Sequence, residues 1–192
     1  EIATYRPSAG RWAVLGRTRV YFGSAWDQAR PADYNGDGRA DFGLFRPDGG
    51  VWAVRDVTRA YFGTYGDAAC PGYYDSDDRA DMAIFRAGSG LWSIRNLTRF
   101  NFGAASDTAV PGDYGLDASW EAAVFNLSSG LWAIRGLSRF YLGSSGDRAV
   151  PGDYNGDGWD ISGVFRDAAG LWSVRAFTRV YFGGSGDIPV TR

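Results

Sequence analysis

Histidine and lysine are absent from this 192-residue sequence, and cysteine and methionine occur once each. The lack of histidine removes the commonest general base, nucleophile partner and zinc ligand. The lack of lysine makes all 20 basic residues arginine, which points to codon bias in a GC-rich genome more than to chemistry. The single thiol, Cys70, excludes an intramolecular disulfide. It stands in register with Val110 and Val150, so a buried apolar role is expected of it. A net charge of −2 gives no electrostatic footprint for nucleic acid or another polyanion. Apolar runs are far too short to span a membrane, so no membrane insertion is expected. No segment carries a helical period. The chain opens at Glu1 without a signal-peptide pattern, as a mature form or an excised domain would.

What the sequence has instead is a period of 40 residues, repeated five times. Trp12, Trp52, Trp92, Trp132 and Trp172 stand in register, as do Gly10, Gly50, Gly90, Gly130 and Gly170. Arg19, Arg59, Arg99, Arg139 and Arg179 follow, then Gly23, Gly63, Gly103, Gly143 and Gly183, then Asp27, Asp67, Asp107, Asp147 and Asp187. A unit of this length cannot bury its apolar faces alone and must stack on copies of itself. One domain over residues 1–192, with no linker, is therefore expected.

In the unit 24–63, residues 30–34 read as a short first strand and 33–41 as a Gly/Asp-rich loop. Residues 41–46 read as a second strand, 47–50 as a turn, 51–55 as a third strand and 59–62 as a fourth. Four short antiparallel strands in 40 residues make one blade, so the expected fold is an all-β, five-bladed β-propeller. The phase of the termini adds ring closure to that expectation. Residues 1–7 align with the second strand at 41–47, and residues 187–191 with the first strand at 147–151, so the two ends are expected to pair and complete one blade.

Residues 33–41, Asp-Tyr-Asn-Gly-Asp-Gly-Arg-Ala-Asp, fit the pattern D-x-[DN]-x-D-G-x-x-D. Ca²⁺ takes six to eight oxygens, and alternate acidic or amide side chains in a tight loop supply them. Asp33, Asn35, Asp37 and Asp41 are the candidate side-chain ligands, with the Arg39 carbonyl as a backbone one. The other loops decay. Asp153, Asn155 and Asp157 persist, with the Trp159 carbonyl, but Ile161 takes the ninth position and Asp160 lies one residue early. Asp75, Asp77 and Asp81 remain where Tyr73 has replaced the first ligand. Residues 113–121 lack the central ligand, and no tight ion is expected there.

The Phe-Gly pairs Phe22-Gly23, Phe62-Gly63, Phe102-Gly103 and Phe182-Gly183 (Leu142-Gly143 is the exception) precede each first strand, and Pro111-Gly112-Asp113-Tyr114 and Pro151-Gly152-Asp153-Tyr154 lead into acidic loops. With these features the chain resembles the FG-GAP/VCBS repeat family, the repeats of integrin α-subunit propellers and of many secreted bacterial proteins. The resemblance covers essentially the whole chain. It implies Ca²⁺ in the hairpin between the first two strands of a blade. For activity it implies only a range, from adhesion modules to N-acetylglucosamine-binding lectins and modules of extracellular hydrolases. The chain departs from the family in blade number, since seven is usual, and in its degraded loops.

Two readings stay open for the register residues. The five Trp side chains either stack on sugar or fill the gaps between blades. The Arg19 and Asp27 series either pair within a blade to fix the turn after the fourth strand or recognise glycan hydroxyls. Arg55, Arg95, Arg135 and Arg175, with Leu15 in the first unit, vary as a ligand-facing position would. Trp26, Trp120 and Trp159 fall outside the register; Trp26 is a candidate binding residue in an exposed loop. Two Asn-x-Ser/Thr sequons occur, at Asn96 and Asn126. Nothing assembles an acid–base pair or an activated nucleophile, so no catalysis is expected. The expected function is a non-enzymatic, calcium-stabilised, secreted propeller that binds glycan or cell-surface carbohydrate at repeated sites between blades. The alternative is an adhesion module for an extracellular protein partner.

Overall fold

The structure, a computed structural model, describes residues 3–75 and 77–189. Five antiparallel sheets follow one another along the chain, one to a repeat. The first holds β1 (Ala3–Arg6), β2 (Arg11–Val14) and β3 (Thr18–Tyr21), and the second β4 (Gln28–Ala29), β5 (Gly43–Arg46), β6 (Val51–Val54) and β7 (Thr58–Tyr61). The third holds β8 (Ala68–Ala69), β9 (Ala83–Arg86), β10 (Leu91–Ile94) and β11 (Thr98–Asn101). The fourth is β12 (Asp107–Ala109), β13 (Ala123–Asn126), β14 (Leu131–Ile134) and β15 (Ser138–Tyr141), and the fifth β16 (Arg148–Ala149), β17 (Gly163–Arg166), β18 (Leu171–Val174) and β19 (Thr178–Tyr181). Strand order is sequential in every sheet, and the described residues contain no α-helix. The fold class is that of a five-bladed β-propeller. Of the expected pairing of residues 1–7 with 187–191, residues 1–2 and 190–191 lie outside the described residues, and among the described ones the first sheet holds β1, β2 and β3 alone.

The first strand lies earlier than the sequence suggests, at Gln28–Ala29 and not at 30–34. Pro31 explains the difference, because it has no N–H to continue the ladder. The ladder resumes only as a single bridge, Ala32 to Asp41, and the same interruption recurs at Pro71, Pro111 and Pro151, with bridges at Gly72–Asp81, Gly112–Glu121 and Gly152–Ile161.

The chain forms two compact units. One runs to Tyr73 and adds Asp77–Arg86 and Ser93–Thr98; the other holds Ala87–Trp92 and the chain from Arg99 onward. In the first unit Phe45 and Trp52 face each other across β5 and β6 with ring centroids 5.0 Å apart, and both are fully buried. Val54, Ala60, Ala69, Met82 and Ile84 complete that cluster. In the second unit Phe125 and Trp132 repeat the pair at 5.2 Å, packed with Val110, Ile134 and Val164. Losing one such indole costs about 3–5 kcal/mol. Trp52 Nε1 also donates to the Phe62 carbonyl at 3.0 Å, which binds the third strand to the segment leaving the fourth.

The register glycines have a backbone cause. Gly50 is left-handed at φ 58°, and a Cβ there would collide with the carbonyl of Gly63; Gly130 stands in the same relation to Gly143.

The Asp27 series fixes the turn into each sheet, as expected, but its partner is not the Arg19 series. Asp27 Oδ2 accepts from Ser24 N at 2.8 Å, while Arg46 on β5 clamps the carboxylate through Nε at 2.7 Å and Nη2 at 3.0 Å. Arg86 holds Asp67 and Arg166 holds Asp147 in the same way. Arg59 could not do this, because it sits on β7, two strands away from β5. The three carboxylates are almost completely buried. Burial alone would push their carboxyl groups up. The guanidinium partners and the Ser24, Thr64 and Ser144 N–H groups hold them below the usual carboxylate range.

Two predictions follow from this geometry. A carboxyl held below its unfolded value stabilises fully above that value, about pH 4, and loses the contribution as pH falls through the folded one. Asp67→Asn should therefore cost about 1.5–3 kcal/mol at neutral pH and flatten the acid limb of stability measured by denaturant titration from pH 6 to 3. An unchanged acid limb would mean that other groups set it. The second concerns the β18–β19 turn, where Ala176 is left-handed at φ 56°, a position held elsewhere by Gly16, Asp56, Asn96 and Gly136. Ala176→Gly should raise stability by about 1 kcal/mol, read as a higher denaturation midpoint with unchanged slope.

Candidate functional site

Two kinds of feature could carry function: the acidic loops and a groove that recurs on the sheets. In the 33–41 loop, Asp33 accepts three backbone N–H groups, from Gly36 at 2.7 Å, Asp37 at 3.2 Å and Gly38 at 2.7 Å. Gly36 and Gly38 are left-handed, at φ 79° and 80°, which curls the chain around that carboxylate. Asn35 Nδ2 donates to Asp41 Oδ1 at 3.0 Å, and Asp37 Oδ1 accepts from Arg39 N. Burial raises the Asp41 carboxyl above its usual range, and the charges of Asp33 and Asp37 add to the effect. Burial opposes ionisation of Asp33 too, but the N–H groups of Gly38, Gly36 and Asp37 bring it below the usual range.

Hard oxygens on mutually repelling carboxylates are the donor chemistry that a cation of the Ca²⁺ type relieves, so Asp33, Asn35, Asp37, Asp41 and the Arg39 carbonyl fit such an ion in kind though not in position. No three Asp, Glu or Cys side chains converge to metal-binding distance among the described residues. The loop is instead closed by its own hydrogen bonds.

The 153–161 loop copies this backbone. Asp153 accepts from Gly156, Asp157 and Gly158, Asn155 Oδ1 accepts from Asp157 N, and Asp157 Oδ1 accepts from Trp159 N. Asp160 does not stand in for the missing ninth ligand. Its carboxylate accepts from Asp113 N at 3.2 Å, and its own N–H donates to the Asp113 carbonyl at 2.7 Å. In the 73–81 loop Asp77 caps Arg79 N, Asp75 and Asp81 are half-buried, and Asp81 bridges Gly72. The 113–121 loop keeps the curled backbone without glycine at the positions of Gly36 and Gly38, since Leu116 and Ala118 are left-handed at φ 66° and 65°. Glu121 fills the space beside Gly115 that an asparagine side chain has in the 33–41 loop.

The tryptophan series separates into core and surface. Trp12, Trp52, Trp92 and Trp132 are buried and offer a sugar no face, which corrects the stacking expectation for them; Trp12 packs on Phe42 and Trp52 clusters with Ala69, Met82 and Ile84 of the following repeat, as the gap-filling reading has it. Trp172 is half-buried, and Trp26 is 80% exposed. Arg55, Arg95, Arg135 and Arg175 are exposed on the hairpin turns. Arg135 lies 4.0 Å over the Phe100 ring and Arg175 3.8 Å over Phe140, so these two guanidiniums are already engaged by an aromatic face.

The recurring groove joins residues that the register singles out, of the Arg19, Gly23 and Asp27 series, to others that it does not, Leu44, Arg46 and Ala53 among them. On the second sheet it is lined by Gly23, Asp27, Leu44, Arg46, Ala53 and Arg59 and encloses about 270 Å³. On the fifth sheet the equivalent residues Gly143, Asp147, Val164, Arg166, Ser173 and Arg179 enclose about 190 Å³. The strand register explains the coincidence: Leu44, Ala53 and Arg59 are cross-strand partners on one face, as are Arg46, Val51 and Tyr61. A wider depression of about 670 Å³ on the first sheet has Thr4, Ala13 and Arg19 at the corresponding places, but no Asp–Arg clamp in its lining.

Beside the grooves, Tyr61 and Tyr181 are each 73% exposed, and Tyr21 and Tyr141 repeat the position. The signal that could have found these residues was register alone: position 46 recurs as Arg6, Arg46, Arg86 and Arg166, and position 61 as Tyr21, Tyr61, Tyr141 and Tyr181. The geometry thus repeats one groove on two sheets of a propeller fold. Compared with known proteins, the chain matches no family model, no curated protein and no solved structure.

Proposed function

We propose that this chain is a non-enzymatic, secreted binding module of the FG-GAP/VCBS type, stiffened by Ca²⁺ in its acidic loops and binding carbohydrate at repeated sites. The observation that carries the reading is the pair of equivalent grooves on the second and fifth sheets, each with a charged clamp, a small apolar floor and an exposed tyrosine alongside. A few directional polar groups over an apolar floor suit a small polar ligand. Weak sites repeated on one chain gain avidity on a polymer or a cell surface. The Ca²⁺ part of the reading rests on the donor set of residues 33–41 and on the second, similar loop at 153–161. Loops of this kind suit extracellular calcium concentrations, which favours a secreted location.

A second reading has its own support. Val57, Leu97, Leu137 and Phe177, at four of the five β-hairpin tips between third and fourth strands (Arg17 holds the place in the first), are 38%, 44%, 50% and 51% exposed. A recurring apolar tip suits an extracellular protein partner, with the chain acting as an adhesion module.

Thermal melts in chelator and in millimolar Ca²⁺ test the metal. Saturating Ca²⁺ should raise Tm by about 5–10 °C, and Asp37→Ala should remove most of that rise. A melt indifferent to chelator would defeat the calcium reading. A glycan array followed by calorimetry tests the ligand: several equivalent sites per chain are expected. A blank array would pass the function to the hairpin tips, where Leu137→Asp and Phe177→Asp should then abolish partner capture.

A further inference from the structure

We infer that the grooves on the second and fifth sheets select an acidic sugar, one bearing a carboxylate on its ring such as a uronic acid; this rests on the carbohydrate reading and narrows it. The argument starts from the balance of donors and acceptors. Asp27 is the only carboxylate among the described residues that line the second-sheet groove, and both of its oxygens are engaged: Oδ1 by Arg46 Nε, and Oδ2 by Arg46 Nη2, Ser24 N and Ser24 Oγ. It has little left to accept from a sugar hydroxyl. The donors, in contrast, are in surplus. Arg46 commits Nε and Nη2 to the clamp and leaves Nη1 without a hydrogen-bond partner among the described residues, on a side chain that is 40% exposed. Arg59 is exposed and has no carboxylate partner among the described residues; its guanidinium lies 5.9 Å over the Tyr61 ring.

The groove thus holds two guanidiniums against one carboxylate, a local positive charge on a chain whose net charge is −2. The fifth-sheet groove repeats the arrangement with Arg166, Arg179 and Asp147. A ligand that satisfies it must be rich in acceptors and carry negative charge, because guanidinium pairs best with a planar oxyanion. Leu44, Val51 and Ala53 on the floor suit the C–H face of a ring, and the wall glycine is packed closely against that floor: a Cβ on Gly23 would stand 2.6 Å from Leu44 Cδ1, and one on Gly143 would stand 3.0 Å from Val164 Cγ1.

The fourth sheet is an internal contrast. Asn126 stands where the others have arginine, donating to Asp107 Oδ1 at 2.6 Å and Ser106 Oγ at 2.8 Å, so that sheet lacks the second guanidinium.

The test is calorimetry of the full chain with glucuronate, glucose and acetate at equal ionic strength, on wild type and on the Arg59→Gln/Arg179→Gln double variant. Both arginines are exposed and make no hydrogen bond or ion pair among the described residues, so the variant should keep its melting temperature. Glucuronate should bind to wild type, weaken about tenfold or more in the double variant, and weaken with added salt; glucose should bind far less well. Glucose binding as tightly as glucuronate, or a double variant that binds like wild type, would overturn acid selection and leave the carbohydrate reading standing. Acetate binding as tightly as glucuronate would reduce the groove to a simple anion site and overturn the sugar. No binding by any of the three, with a blank glycan array, would overturn both readings together.

Discussion

The fork between a buried aspartate and a second-strand arginine is the interaction on which the rest of this structure depends. Asp27, Asp67 and Asp147 each stand where the chain leaves one sheet and enters the next, and each is tied both to the backbone N–H of its turn and to a guanidinium on the second strand of the new sheet. A buried carboxylate is costly when alone and acceptable only when its lone pairs are filled. Filling them here fixes the angle at which the linker meets the sheet, and that angle puts a glycine carbonyl against the glycine of the preceding turn. The same fork engages the acceptors of the groove and leaves one edge of a guanidinium without a partner among the described residues. Architecture and the lining of the groove therefore share one pair of side chains.

Much of the fold was legible because a period of 40 exposes whatever cannot change. Gly50 and Gly63 recur because a Cβ has nowhere to go, and Trp52 recurs because a fully buried indole whose N–H reaches a carbonyl tolerates no substitute of another shape. The sequence was less informative where register alone does not specify a partner. Arg19 and Asp27 are invariant together yet do not meet, since invariance records that both matter and not that they touch. Pro31 displaced the first strand because the ladder needs a donor that proline lacks. The grooves were hardest to see. Their residues lie on three strands and become neighbours only once the strands pair, with Leu44, Ala53 and Arg59 spread over 16 positions of sequence.

The acidic loops show how a backbone can outlast its side-chain pattern. The 113–121 loop has lost both glycines and the central ligand, yet Leu116 and Ala118 still adopt the left-handed turns of Gly36 and Gly38. The bond between neighbouring loops offers a reason: Ala80 N donates to the Asp33 carbonyl and Asp160 N to the Asp113 carbonyl, each at 2.7 Å. A loop that must present its carbonyl to its neighbour keeps its curl whether or not it holds an ion. Decay of a ligand set is thus tolerated where decay of the turn would not be.

The tryptophan N–H bond has a consequence on another scale. Trp12, Trp52, Trp92 and Trp172 each reach a carbonyl ten residues further along the same copy, so the third and fourth strands of a copy are fastened to each other without help from outside it. A copy gained by unequal recombination would arrive with those fastenings in place and would need only to meet the loop and linker of its neighbours. Lengthening or shortening such a gene by whole units is then a small structural event, and the divergence among the present copies, from Arg46 to Asn126, is where individual character could accumulate after duplication.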